Sequence, residues 1–195
     1  MKAVFPIRMI VLLIFTCALV TNLLHAQTFV KGSKALNAGL GFGWRYSYYG
    51  TVNSLPALNV SYEKGVVDIK DFGTISIGGV ADYKSLYYNY STGGYRASWT
   101  YFGLGLRGAI HPKDLQNDKF DTYGGLMIGV RSVTYKDTYF DSQGSNSYNY
   151  GGLGEIASLY VGGRYYFTNK IAAYAELGYG VSYLTVGATF KLGAK

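Results

Sequence analysis

Cysteine is nearly absent. The only one, Cys17, lies in the first apolar run, so no disulfide or thiolate metal site can form beyond residue 26. Histidine is as scarce. Past residue 26 there is only His111, too few imidazoles for a metal cluster, and no cofactor is expected. Proline occurs 3 times and charged residues make up 15% of the chain, low for a soluble domain. There is no basic block. The net charge of +7 comes from Lys and Arg scattered singly, which argues against a nucleic-acid partner. What is plentiful is glycine (27) and tyrosine (21). Glycine at that frequency disfavours long helices.

The first residues are of a different kind. Lys2 and Arg8 precede the run IVLLIFTCALV (10–20), and LLHAQT follows. The segment reads as a secretory signal peptide, residues 1–26, cleaved after Ala26. The run is short for a membrane anchor. Thr16 is a poor neighbour for a lipidated cysteine at Cys17. The expected organisation is the signal peptide, a short periplasmic segment at 27–34, and one β-barrel domain at 35–195.

Beyond residue 34 the period is two. Leu36, Ala38, Leu40, Phe42, Trp44 and Tyr46 alternate with Asn37, Gly39, Gly41, Gly43 and Arg45. The split recurs over 58–63, 74–83, 101–110, 125–131, 157–167, 173–179 and 184–192, which makes eight strands. GLGLRG (103–108) spells a dinucleotide fingerprint, but that motif needs a helix opening at its glycines, and AIHP follows. It reads as a strand, with Phe102, Leu104, Leu106 and Ile110 on one face. Gly103, Gly105 and Arg107 take the other, the glycines making room for the arginine.

The apolar faces end in aromatics (Tyr62, Tyr83, Tyr165, Phe167, Tyr179, Phe190), as suits the two interfaces of a membrane. The other face mixes glycine with single large polar groups, as a narrow eight-stranded lumen requires. The predicted fold is an all-β, eight-stranded antiparallel up-and-down transmembrane β-barrel. A soluble lipocalin-like periplasmic barrel, with the faces reversed, is the alternative architecture. Outer links are expected near 47–54, 84–98, 133–152 and Gly180, and inner turns near 64–71, 111–119 and 168–170.

FGTISIGGVADY (72–83), YFGLGLRGAIHP (101–112), FDTYGGLMIGV (120–130) and AELGYGVSYLTVGATFKL (175–192) together resemble small bacterial outer-membrane β-barrels of the OmpX, OmpW and OmpA-transmembrane type. The likeness covers essentially the whole chain past the signal peptide. It implies outer-membrane localisation, outer-membrane lipid as surroundings, and barrel-assembly machinery as a partner in biogenesis. The last segment looks like the strand that machinery reads, although Phe190 does not close the chain. An OmpW-like likeness also allows a narrow pore for small solutes.

The inward set holds Arg45, Arg107, Arg131, Arg164 and Lys191 against Glu63, Asp82, Asp121 and Glu176. Bare charges in a narrow lumen are costly, so a paired polar plug is expected, with Arg107 and Glu176 as members. An enzyme is not: His111 reads as an ordinary turn histidine beside Pro112. SLYYNYSTGGYR (85–96) and TYKDTYFDSQGSNSYNYGG (134–152) combine Tyr, Ser, Asn and Gly, the composition of binding loops. Tyr87, Tyr88, Tyr90, Tyr95, Tyr139, Tyr148 and Tyr150 are the candidate contacts for an extracellular ligand or host surface. The expected role is structural or interactive at the cell surface.

Overall fold

The computed structural model describes residues 28–43, 53–91, 93–139 and 150–192. Eight long strands carry the fold: β1 (Lys34–Phe42), β2 (Ala57–Ile69), β3 (Gly73–Asn89), β4 (Arg96–Pro112), β5 (Phe120–Asp137), β6 (Tyr150–Tyr166), β7 (Ile171–Gly178) and β8 (Leu184–Leu192). A two-residue piece, Asn53–Ser54, pairs with Tyr87 and Leu86 of β3. A single 3-10 turn, Lys113–Leu115, follows β4. Every strand pairs antiparallel with its sequence neighbours, and β1 pairs with β8, so the sheet closes on itself. Closure gives every spanning strand two partners for its backbone groups, the condition for living in hydrocarbon.

The ring is staggered. From Leu153 the paired row runs through Ser132, Phe102, Tyr83, Leu58, Leu40, Val186 and Ala175. It returns to β6 at Gly163, ten residues along the same strand. Such a shift is the strand tilt that closing eight strands demands.

The polarity is inverted relative to a soluble barrel. Leu106 (70% exposed), Leu159 (74%) and Ile128 (57%) point outward, whereas Glu63, Asp121 and Arg164 are fully enclosed. The lipocalin-like alternative puts the apolar face inside, and the chain does the opposite. Two lumen tyrosines explain two glycines. A Cβ on Gly162 would lie 2.7 Å from the Tyr123 ring, and one on Gly125 would lie 2.7 Å from the Tyr160 hydroxyl. GLGLRG is a strand segment of β4, but its glycines do not serve Arg107. A Cβ on Gly105 would press within 3.0 Å of the Met127 sulfur, whereas one on Gly103 meets only ordinary contacts.

Several links are shorter than the sequence pattern predicts, because the strands run on. The second outer link is 90–95 rather than 84–98, and the third is 138–149 rather than 133–152. The first inner turn shrinks from 64–71 to 70–72. β2 continues to Ile69 across a bulge between Gly65 and Val67, which shifts the alternation and hides the strand. The 28–33 segment is no loose leader. It folds across the lower mouth, where Gly32 N–H donates to Gly65 O and Gly65 N–H donates to Ser33 O.

Candidate functional site

Two regions concentrate chemistry: the lower lumen, and the part of the sheet that rises above the barrel. In the lumen, alternation places one large polar side chain from each of several strands on a common axis. Arg164 (β6) donates from Nη1 to Asp121 Oδ2 (2.9 Å) and from Nη2 to Glu63 Oε1 (2.8 Å). Arg107 (β4) lies 3.1 Å from Glu63 Oε1 and 2.7 Å from Glu176 Oε2. It also donates to Tyr160 Oη and Ser61 Oγ. The two guanidinium groups stack on the tyrosines that the glycines admit, Arg107 on Tyr160 at 4.2 Å and Arg164 on Tyr123 at 4.3 Å. Pairing, hydrogen bonding and ring stacking together offset the cost of enclosing these charges.

Of the expected plug residues, Glu63, Arg107, Asp121, Arg164 and Glu176 come together. Asp82 stands apart and accepts from Asn59 Nδ2 (2.8 Å), whose carbonyl takes the Tyr174 hydroxyl. Lys191 turns to the mouth and donates to Thr28 O (2.7 Å). Arg131 sits higher, lining a small cavity with Tyr101 and Val181. Arg45 lies outside the described residues. Lys84, assigned from sequence to an outer link, is instead buried on β3, with Nζ donating to Gly43 O.

His111 corrects the sequence reading. It is no turn residue, because β4 continues through Pro112, and its ring is fully buried. Nδ1 lies 2.8 Å from Asp121 Oδ1, and Nε2 lies 3.1 Å from Ser76 Oγ. Ser76, His111 and Asp121 therefore have the order and spacing of a nucleophilic triad. They lack room to act as one. All three are fully enclosed, Glu63 Oε2 crowds Nε2 at 3.5 Å, and Phe29 stacks flat on the imidazole at 4.0 Å. The lumen cavity, about 40 Å³, lies higher, among Asn59, Asp82, Arg107, Glu176 and Ser182. The triad is an architectural joint between β3, β4 and β5.

Chain segments pack into the lumen at both ends. Below, Phe29 is fully buried, its N–H donates to Gln116 Oε1, and the Thr28 hydroxyl donates to Asn117 O. Above, the β7–β8 turn dips inward and sets Val181 on the cluster Val80, Met127, Ile156 and Tyr160.

The upper region is an extension of β3–β6, with Asn53–Ser54 paired on its β3 edge. β7 ends at Gly178 opposite Tyr160, so among the described residues no strand pairs with 150–157 on that side. Inside this extension Leu86, Ala97, Trp99 and Tyr101 form a second core, with Tyr88, Tyr90, Val133 and Tyr135 against it. At its top Asp137 is fully buried and accepts from the Tyr90 and Tyr135 hydroxyls, each at 2.7 Å. That hydrogen bond to Asp137 pushes the Tyr90 phenol up to about 12. Tyr139 donates its backbone N–H to Asp137 Oδ1 and packs on Tyr90 and Tyr95.

The candidate contacts are thereby sorted. Tyr87 and Tyr88 belong to β3, not to a loop; Tyr88 faces the second core and Tyr87 carries Arg96 on its ring at 4.8 Å. Tyr90, Tyr95 and Tyr139 form the aromatic crown around Asp137. Tyr150 opens β6 opposite Tyr135, and Tyr148 lies outside the described residues. Asp137 had no signal of its own in the sequence, and His111 had a misleading one in the proline beside it.

No family model and no curated protein matches the chain. Among solved structures it is similar to the N-terminal β-barrel domain of OprF from Pseudomonas aeruginosa, with 12% identity, 83% of this chain and 98% of that one covered, and a TM-score of 0.48. It is also similar to Ail, the attachment invasion locus protein of Yersinia pestis, in complex with the heparin analogue sucrose octasulfate (11%, 83% and 96%, 0.47). A third is the outer membrane protein OprG of Pseudomonas aeruginosa (13%, 87% and 100%, 0.46). The fold assignment rests on the chain's own closed ring and inverted polarity: it is a small outer-membrane-type β-barrel.

Proposed function

We propose that this protein spans the bacterial outer membrane as a closed, non-conducting barrel and acts through the sheet that rises above it. The observation that carries this reading is the β3–β6 extension. It has its own aromatic core, a Tyr-rich crown fixed on Asp137, and an edge of β6 without a strand partner among the described residues. An exposed edge offers N–H and C=O groups in register, and tyrosines offer contact area at low entropic cost, so the region suits adhesion or ligand binding. A sealed lumen does not suit transport, and the enclosed triad does not suit catalysis.

Three measurements test the proposal. Protein from an outer-membrane fraction is run unheated and boiled on a detergent gel, where a mobility shift is expected. Planar bilayers should then show no unitary conductance; steady channels would replace the surface role with a pore. Finally, purified protein on an array of extracellular-matrix proteins and glycosaminoglycans should give binding that is lost when Tyr87 and Arg96 become Ser. Absence of any such binding would leave a purely structural barrel.

A further inference from the structure

The lipid-facing surface carries an anomaly at its lower end. Lys34 of β1 and Lys64 of β2 are register partners. Both are exposed, and both point outward, because their chain neighbours Ala35 and Glu63 point into the lumen. Two ammonium groups thus stand side by side on one face of the sheet, an arrangement that is destabilising between directly opposed residues.

Their surroundings are apolar. The next outward pair above is Leu36 opposite Tyr62; Lys34 also faces Leu192, and Lys64 faces Ile77. Past the bulge the same face continues with Val67 and Ile69, both exposed. The nearest acids in sequence turn elsewhere. Glu63 is bound to Arg164 and Arg107 in the lumen, and Asp68 accepts from Thr74 Oγ1 and the Lys31 N–H. Among the described residues neither lysine makes an ion pair with a carboxylate. Extending their stems along apolar surface lets the two head groups meet at the lower water boundary. This is the end with the short turns, hence the periplasmic leaflet.

We infer that Lys34 and Lys64 form a binding site for the phosphate of an anionic glycerophospholipid in the inner leaflet, its acyl chains lying on Leu36, Tyr62, Ile77 and Leu192. A phosphate between the two ammonium groups turns their repulsion into two attractions, and the apolar surroundings select a lipid over a free anion. The inference rests on the membrane-spanning reading.

The test is native mass spectrometry of the signal-free protein in uncharged detergent, titrated with phosphatidylglycerol or phosphatidylcholine. Wild type should retain phosphatidylglycerol preferentially. The Lys34→Gln, Lys64→Gln double variant should lose that preference, by about fivefold for each lysine. Lys113→Gln with Lys119→Gln, at the same end of the barrel, should keep it, and inorganic phosphate should not compete. Equal phosphatidylglycerol binding by wild type and the Lys34, Lys64 variant overturns the site. So does an equal loss in the Lys113, Lys119 variant, which would mean general charge attraction. If the double Gln variant does not fold, Lys64→Glu keeps the surface balanced against Lys34 and must still lose the lipid. A heat-dependent gel shift in every variant reports the barrel itself. Its absence in wild type defeats the membrane reading, whereas its presence without lipid preference defeats only this site.

Discussion

The lower lumen and the upper crown both bury carboxylates, and they satisfy them differently. Asp121 is held by a guanidinium and an imidazole, and Glu63 by two guanidinium groups; Asp137 is held by two phenols and a backbone N–H. In the lumen most of the charges pair across the barrel rather than between neighbouring strands, so the network ties β2, β4, β5, β6 and β7 to one another. In the crown the partners come from the ends of β3 and β5, so Asp137 closes a local structure. The first arrangement stabilises the barrel as a whole. The second shapes a surface that can change without the barrel failing.

The largest expected effect lies in the lumen. Arg164→Met leaves Glu63 and Asp121 without a shared cation and should cost about 3–5 kcal/mol. The unheated folded band should weaken and the urea midpoint should fall. If stability holds, the network is not what ties the ring together. Phe29→Ala comes next. Removing a fully buried ring from His111 should cost about 3 kcal/mol. Bilayers should nevertheless remain silent, because the ion network still fills the lumen above it. Channels in this variant would make Phe29 the sole seal.

In the crown, Asp137→Ala should cost about 1–3 kcal/mol locally. Limited proteolysis should open the chain around Tyr90, Tyr95 and Tyr139 while the heat-dependent gel shift stays. Loss of that shift would erase the distinction between the two regions. Alkali sharpens it further. The Tyr90 phenol is raised from 10.0 to about 12 by its bond to Asp137, so the neutral form is favoured in the fold. That contribution is whole below pH 10 and is lost as pH climbs from 10 to about 12. The crown should therefore become protease-sensitive in that window, and Tyr90→Phe should flatten the response. The smallest effect is Tyr87→Ala, worth about 0.5 kcal/mol through the exposed Arg96 stack, and visible only in binding.

The barrel was legible because its alternation is consistent where lipid lies outside and polar groups lie within: Leu104 and Leu106 out, Arg107 in. The strand ends were not, because the phase of polarity reverses above Tyr83. There Leu86, Trp99 and Val133 face inward, while Ser85, Ser98 and Thr134 face outward. A single alternating template therefore stops at the crossing, and the rest of β3–β6 looks like Tyr-rich loop. Inward charges could be named from parity alone, but parity gave Asp82, Arg131 and Lys191 as well, and these lie at other levels than the network of Glu63, Arg107, Asp121, Arg164 and Glu176. Their partners could not, because the ten-residue stagger decides which side chains share a level. His111 was misread for a local reason. Pro112 suggests a turn, but it is the last residue of β4, where its missing N–H is tolerated.

That reversal of phase also measures reach. Tyr83 and Phe102 are register partners above which the outward positions of their hairpin turn polar at Ser85, Ser98 and Thr100, and Asn89 lies six residues past Tyr83 on β3. Six residues span about 20 Å of strand, or about 15 Å of height once the tilt is allowed for. The polar headgroup layer on one side of a bilayer is only about 5–8 Å deep. The hairpin is thus a stalk taller than the layer it grows through, and its crown is held clear of the headgroups at a distance written into the strand length.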